Sequence, residues 1–132
     1  MLKPTKEDLS YLAGFFDGEG SIYIITNYKR NQHSLVVSIT NTDMKILNWI
    51  KDFFGGNIAK TLFIKEKNNK PCGRIRFYSQ NALFFLKQIE PFLKIKKEKA
   101  RLAIRFQSQL KVGIRTLTNE EQLIYKQRIA NA

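Results

Sequence analysis

Asp17 and Glu19 stand two residues apart in the run Leu12-Ala13-Gly14-Phe15-Phe16-Asp17-Gly18-Glu19-Gly20, which sets two carboxylates at the end of an apolar helix and breaks it with glycine. Aligned peptide dipoles leave partial negative charge at a helix C-terminus, so acids there meet an unfavourable field unless a cation is drawn in. The pattern points to a metal site. A helix that simply ends in glycine beside surface carboxylates is the plain alternative, and the order of elements along the chain weighs against it.

Those elements can be read from spacing. Thr5 is placed to cap a helix over about 6 to 17, with Leu9, Leu12, Ala13 and Phe16 on its apolar face. Strands follow over about 20 to 28 and 33 to 41, joined by the basic loop Lys29-Arg30-Asn31-Gln32. Asp43 caps a helix that closes on Gly55 and Gly56. A second strand pair, about 57 to 66 and 73 to 79, surrounds the turn-forming Asn68-Asn69-Lys70-Pro71-Cys72-Gly73. Helices are expected over about 81 to 90 and 95 to 110, and Thr118-Asn119-Glu120-Glu121 opens a terminal helix through Ile129 as a capping box. The order is αββαββα with extra C-terminal helices, an α+β fold in one domain spanning 1–132, its core about 5–110 and a helical extension about 111–132. Gly14 and Gly18, four apart, fall on one helix face where missing side chains admit a second helix, so one such motif implies two chains.

Composition bears on the partner. Lys and Arg number 23 against 11 Asp and Glu, a net charge of +12 over 132 residues, which suits a polyanion and makes nucleic acid the first expectation. At 43% hydrophobic and 12% aromatic, the chain is too core-rich for a disordered basic tail. The lone Cys72 forms no intrachain disulfide and offers no metal cluster, so an intracellular, reducing setting is expected. No apolar run reaches membrane-spanning length, and Met1-Leu2-Lys3-Pro4 does not read as a secretory signal. His33 is given no catalytic role, while Trp49, Phe53 and Phe54 sit at helical spacing and are expected in the core.

The run from Leu12 to Gly20 resembles the motif of the LAGLIDADG homing endonucleases, with phenylalanine at two aliphatic places and glutamate for the second aspartate. The element order over residues 9 to 110 is similar to that family's fold, in which a curved antiparallel saddle is backed by helices. The resemblance implies a homodimer whose motif helices pack together through Leu12, Ala13, Gly14 and Asp17, and a site-specific double-strand DNA endonuclease that promotes intron mobility at a long, roughly palindromic target. It implies phosphodiester hydrolysis. Mg²⁺ suits that reaction because it keeps several waters and needs only one or two carboxylates plus phosphate oxygens; Mn²⁺ and Ca²⁺ are further candidate occupants. By the same resemblance Glu19 is the anchor ligand and the Gly18 carbonyl a second, while Asp17 has a packing or capping role. Asn41 with Lys45 four residues on stands where the family holds its water network, and Pro91-Phe92-Leu93-Lys94-Ile95-Lys96 matches a turn whose second lysine, Lys96, reaches the active site. An RNA splicing maturase, or a LAGLIDADG protein that binds DNA without cutting, is the alternative; intron RNA is then a partner. A composition rich in Lys, Asn, Ile and Phe fits an AT-rich organellar genome, mitochondrial or chloroplast.

Helices on one sheet face leave the other wet, and strand alternation nominates its residues. Tyr23, Ile25, Asn27 and Lys29 share one side of the first strand, Ser34, Val36 and Ser38 one side of the second, and Arg74, Arg76 and Tyr78 one side of the last. Lys60 and Lys65 supply charge in the third. A strand of about eight residues spans roughly 26 Å, comparable to about eight base steps. Arg74 or Arg76 can grip guanine, Asn27 or Gln32 can pair with adenine, and Lys29, Arg30 and Lys60 can equally contact phosphate alone.

Overall fold

The computed structural model describes residues 2–62, 71–111, 114–115 and 117–132. Helix α1 runs Lys6–Glu19, two residues past the expected end, and is opened by a reciprocal cap: Asp8 N–H donates to Thr5 Oγ1 at 3.1 Å and Thr5 N–H to the Asp8 carboxylate at 2.9 Å. Strands β1 (Gly20–Asn27) and β2 (Gln32–Asn41) form the first hairpin, with Asn31 in the left-handed region at φ 51°. Helix α2 (Met44–Phe54) is capped by Asp43, which accepts from Lys45 and Ile46 N–H. Strands β3 (Asn57–Leu62) and β4 (Pro71–Tyr78) make the second hairpin. Helix α3 (Ser79–Ile89) leads through a 3-10 turn at Glu90–Phe92 into α4 (Lys97–Gln109). The two-residue strands β5 (Leu110–Lys111) and β6 (Ile114–Arg115), which periodicity does not reveal, precede α5 (Asn119–Asn131) and its Thr118–Glu121 capping box.

The main sheet is antiparallel in the order β1-β2-β4-β3, so the two hairpins meet through β2 and β4. One face of β1, β2 and β4 is apolar: Ile22 and Ile24, Leu35, Val37 and Ile39, Ile75 and Phe77 are all buried beneath the helices. That layer is joined by Leu12, Phe16, Leu47, Ile50, Phe85, Leu86, Phe106 and Ile129 in one core. Trp49 packs edge-on between Tyr11 and Phe53, as the aromatic spacing of α2 led one to expect. Phe84, by contrast, is exposed, because the buried stripe of α3 runs through Ala82, Leu83, Phe85, Leu86 and Ile89.

Two glycines let helices close on the sheet. At Gly73 a Cβ would stand 2.5 Å from Met44 Sδ and 2.6 Å from Leu47 Cδ1, so a side chain there would force both to shift where α2 packs on β4. At Gly20 the added atom would enter the ring of Phe16, which is fully buried and packed edge-on against Phe85. A ring so confined cannot swing aside cheaply. Gly20→Ala is therefore expected to lower stability by about 1–3 kcal/mol, read as a reduced midpoint in chemical denaturation.

Candidate active site and nucleic-acid face

The C-terminal end of α1 separates its two acids. Asp17 is 9% exposed and turned inward, its carboxylate accepting N–H bonds from Lys94 at 2.8 Å and Lys96 at 2.9 Å. Burial opposes its charge, but the N–H groups of Lys96, Lys94 and Ile95 and the Lys96 ammonium outweigh that cost and hold its carboxyl below the usual value. The unfavourable helix-end field is thus met at Asp17 by the protein's own donors. Lys96 adds a cation to the same end, donating from Nζ to the Asp17 carbonyl oxygen at 2.7 Å. Asp17 accordingly clamps α1 to the turn before α4. Because the folded-state value lies below the ordinary 3.8, this clamp stabilises the fold above that pH and is lost as pH falls through the folded value. Asp17→Asn should cost about 1–3 kcal/mol at neutral pH and flatten the acid side of the stability profile, checked by denaturant titrations between neutral and acid pH.

Glu19, two residues on, is exposed and has no side-chain partner among the described residues. Gly18 beside it has open space where a side chain would be. The ladder pairs Gly20 with Ile39, so the acidic helix end lies next to the C-terminal end of β2, where Asn41 and the first turn of α2 follow. Asn41 Oδ1 accepts from Asp43 N–H at 2.8 Å, which turns the chain into α2 and leaves the amide Nδ2 with no acceptor among the described residues. Lys45 is exposed in that first turn. Glu19, Lys96, Asn41 and Lys45 therefore gather at one end of the sheet. Among the described residues no group of three His, Cys, Asp or Glu side chains converges, so the acid available to a cation is Glu19 with the neighbouring backbone carbonyl. That donor set fits Mg²⁺, which completes its shell with water and phosphate.

The structure corrects the expected dimer contacts. Leu12 and Ala13 are buried in their own protomer's core and Asp17 in its clamp, because the apolar stripe of α1 packs on α3 and the sheet. Glu7, Ser10, Tyr11, Gly14 and Gly18 make up the exposed side of the helix instead, with nothing within 4 Å of either glycine's Cβ direction. Gly14 alone of the expected set lies on it.

On the sheet's open face, Tyr23, Ile25, Asn27, Ser34, Arg74, Arg76 and Tyr78 have the expected phase. Val36 and Ser38 share it but are nearly sealed, at 1% and 7% exposure, because each lies between larger neighbours in register: Val36 between Tyr23 and Tyr78, Ser38 beside Arg76. They support that surface rather than line it. Lys60 is on the opposite face, since β3 pairs it with Gly73 while Asn57 and Ala59 pair with Arg76 and Arg74. Lys65 lies outside the described residues. Lys29 and Arg30 are exposed in the hairpin turn with Gln32 at its exit, and Lys29 N–H donates to Asn27 Oδ1 at 3.2 Å. Ser21, Thr40 and Asn57 also face this side. Alternation from Tyr23 and Ser38 could have found the first two, whereas Asn57 needed the register of β3.

The two arginines differ. Arg74 Nε donates to Thr40 Oγ1 at 2.9 Å, whereas Arg76 Nε is buried without an acceptor among the described residues. An unpaired buried donor costs about 1–3 kcal/mol, which an acceptor on a bound partner would recover. Arg76 borders a cavity of about 240 Å³ shared with Asn57, Arg74, Tyr78 and Asn81.

Comparison with known proteins gives a concordant picture. The model of the family described as LAGLIDADG endonuclease matches residues 12–100. The DNA endonuclease I-CreI of Chlamydomonas reinhardtii is 32% identical over 117 residues, covering 82% of this chain and 67% of that protein. The intron-encoded RNA maturase bI4 of Saccharomyces cerevisiae is 34% identical over 86 residues, 61% of this chain but 13% of that longer protein. A crystal structure of the homing endonuclease I-CvuI with the I-CreI target shares the fold at a TM-score of 0.66 and 17% identity, covering 96% of this chain and 97% of that one.

Proposed function

This chain belongs to the LAGLIDADG endonuclease family, and from that premise we propose that it is a homodimeric, Mg²⁺-dependent homing endonuclease that makes staggered double-strand breaks in DNA and promotes intron mobility, in an organellar host. The observation that carries this reading is that the end of α1 presents a Glu19 carboxylate with no side-chain partner among the described residues, two residues beyond the carbonyl that holds the Lys96 ammonium. Nothing in a purely structural helix end requires an exposed acid there, since Asp17 and Lys96 already complete the clamp.

Glu19 and the Gly18 carbonyl would hold the cation, which supplies an activated water and neutralises charge on the phosphate. Lys96 offsets the charge that develops on the phosphorane oxygens, from a position preset by its bond to the Asp17 carbonyl. Asn41 Nδ2 and Lys45 orient water beside the phosphate. One protomer brings one such set, so cutting both strands calls for two, joined through the exposed Tyr11–Gly14–Gly18 face of α1. The open sheet face takes the duplex, with Lys29 and Arg30 on phosphate and Arg76 on a base edge.

Selection of cleaved sequences from a random duplex library in Mg²⁺ tests the activity, with a single long, near-palindromic consensus as the expected result. On that consensus, Arg76→Ala should cost about 1–3 kcal/mol of discrimination at one symmetric base-pair position and leave the others unchanged, measured over all single-base variants. Unaltered preference at every position would remove Arg76 from base reading.

A further inference from the structure

Behind the tip of the first hairpin lies a cavity of about 470 Å³, of whose lining the reading above uses only Arg30. Its walls come from the Arg30–Ser34 segment, the start of α3 at Ser79 and Gln80, Gln107 and Leu110 at the end of α4, and Gln122 of α5. Strand β4 pairs with β2 only between Val36 and Asn41, so among the described residues the edge of β2 from Gln32 to Leu35 has no strand on that side. The cavity borders that edge.

Its chemistry is unusual for a protein surface. Four glutamines, Gln32, Gln80, Gln107 and Gln122, contribute to the lining. Gln107 is 5% exposed, and its Oε1 has no donor among the described residues. An acceptor so placed is costly unless a donor arrives. Among the described residues no carboxylate lines the cavity, which gives a metal or ammonium ion no counter-charge there, and Arg30 is the one formal cation among them. Neutral donors and acceptors in a space of this size match a planar heterocycle that offers both along its edge.

We infer that this cavity takes a single unpaired nucleobase of an RNA strand, with an exocyclic amine donating to Gln107 Oε1, the edge of the base meeting Gln80 and Gln32, and the attached phosphate on Arg30. Bases within duplex DNA are stacked and must be flipped out at a cost of a few kcal/mol, whereas RNA loops and bulges present them already unstacked. The site lies behind the duplex face and shares only Arg30 with it, so the same chain carries both sites, with Arg30 serving one at a time.

The test titrates AMP, GMP, CMP and UMP into the full-length protein while side-chain amide signals are followed by NMR. Saturable shifts at Gln107 and Gln80 are expected for at least one nucleotide. That binding should weaken at least fivefold in Gln107→Leu, which replaces an unpaired buried amide with an apolar group of similar size, and also in the exposed-site variant Gln80→Ala. DNA cleavage by both variants should match the parent, and a short single-stranded RNA should bind more tightly than DNA of the same sequence. Absence of saturable shifts, shifts confined to Asn27 and Asn57 on the duplex face, unchanged binding in both variants, or equal binding of the DNA strand would each overturn the inference. Should the parent bind nucleotides yet cut no DNA, the endonuclease reading fails and this one stands.

Discussion

Glu19→Gln should abolish cleavage, with the rate falling by a factor of about a thousand or more, while affinity for the selected target in Ca²⁺ stays within a few-fold of the parent. The amide keeps the shape of the side chain but removes the charge that, on the proposed reading, holds a divalent cation, and losing several kcal/mol of transition-state stabilisation corresponds to that factor. Stability should scarcely change, because Glu19 is exposed and bonds to no described side chain. Cleavage and binding are therefore separable at this residue. They are not separable at Asp17, two positions away, whose replacement disturbs the clamp on Lys94 and Lys96 and with it the fold. Cutting that survives in Glu19→Gln would move the metal site elsewhere, and joint loss of binding and folding would mean that the glutamate is structural.

Gly14→Trp carries the second large effect. Space around Gly14 is open in the protomer, so an indole there is accommodated by a single chain, and the thermal midpoint should hold. Between two copies of α1 the same indole would stand where the backbones must approach closely, with Gly18 one turn further along. Dimer dissociation should rise at least about a hundredfold, equivalent to roughly 2.7 kcal/mol, and double-strand cutting should disappear with it. Sedimentation at micromolar concentration reads this directly: the parent runs as a dimer and the variant as a monomer. A variant that remains dimeric would place the interface away from this face of α1. A variant that dissociates yet still cuts both strands would show that one protomer suffices.

The position of α1 explains why both substitutions are so consequential. Its inner stripe, Leu12, Ala13 and Phe16, is committed to the core, and its last turn to the clamp. What remains outward includes Gly14 and Gly18 beside Tyr11, and the helix ends in Glu19, a carboxylate with no side-chain partner among the described residues. Any change on that strip acts on assembly or chemistry before it acts on stability.

Local features were readable from residue types because their causes are local. Both Thr-initiated capping boxes, the Asp43 cap, the alternation of β1 and β2 and the stop at Gly20 arise from hydrogen bonds and periodicities within a few residues, so the α+β order and the place of Glu19 at a helix end follow from the chain alone. Longer reach was needed for the rest. The bonds that turn Asp17 inward come from residues 77 and 79 positions away, and Lys126 of α5 donates to Thr26 across 100 positions, contacts that no spacing rule encodes. Which face Lys60 takes depends on the register of β3 against β4, where a slip of one residue inverts every side chain. Burial of Val36 depends in the same way on what the two neighbouring strands set beside it. Residue chemistry thus determined that this chain carries an acid-tipped helix and a basic sheet. Folding alone decided which acid is spent on structure and which stays exposed without a side-chain partner, because that division depends on donors brought together from distant parts of the chain.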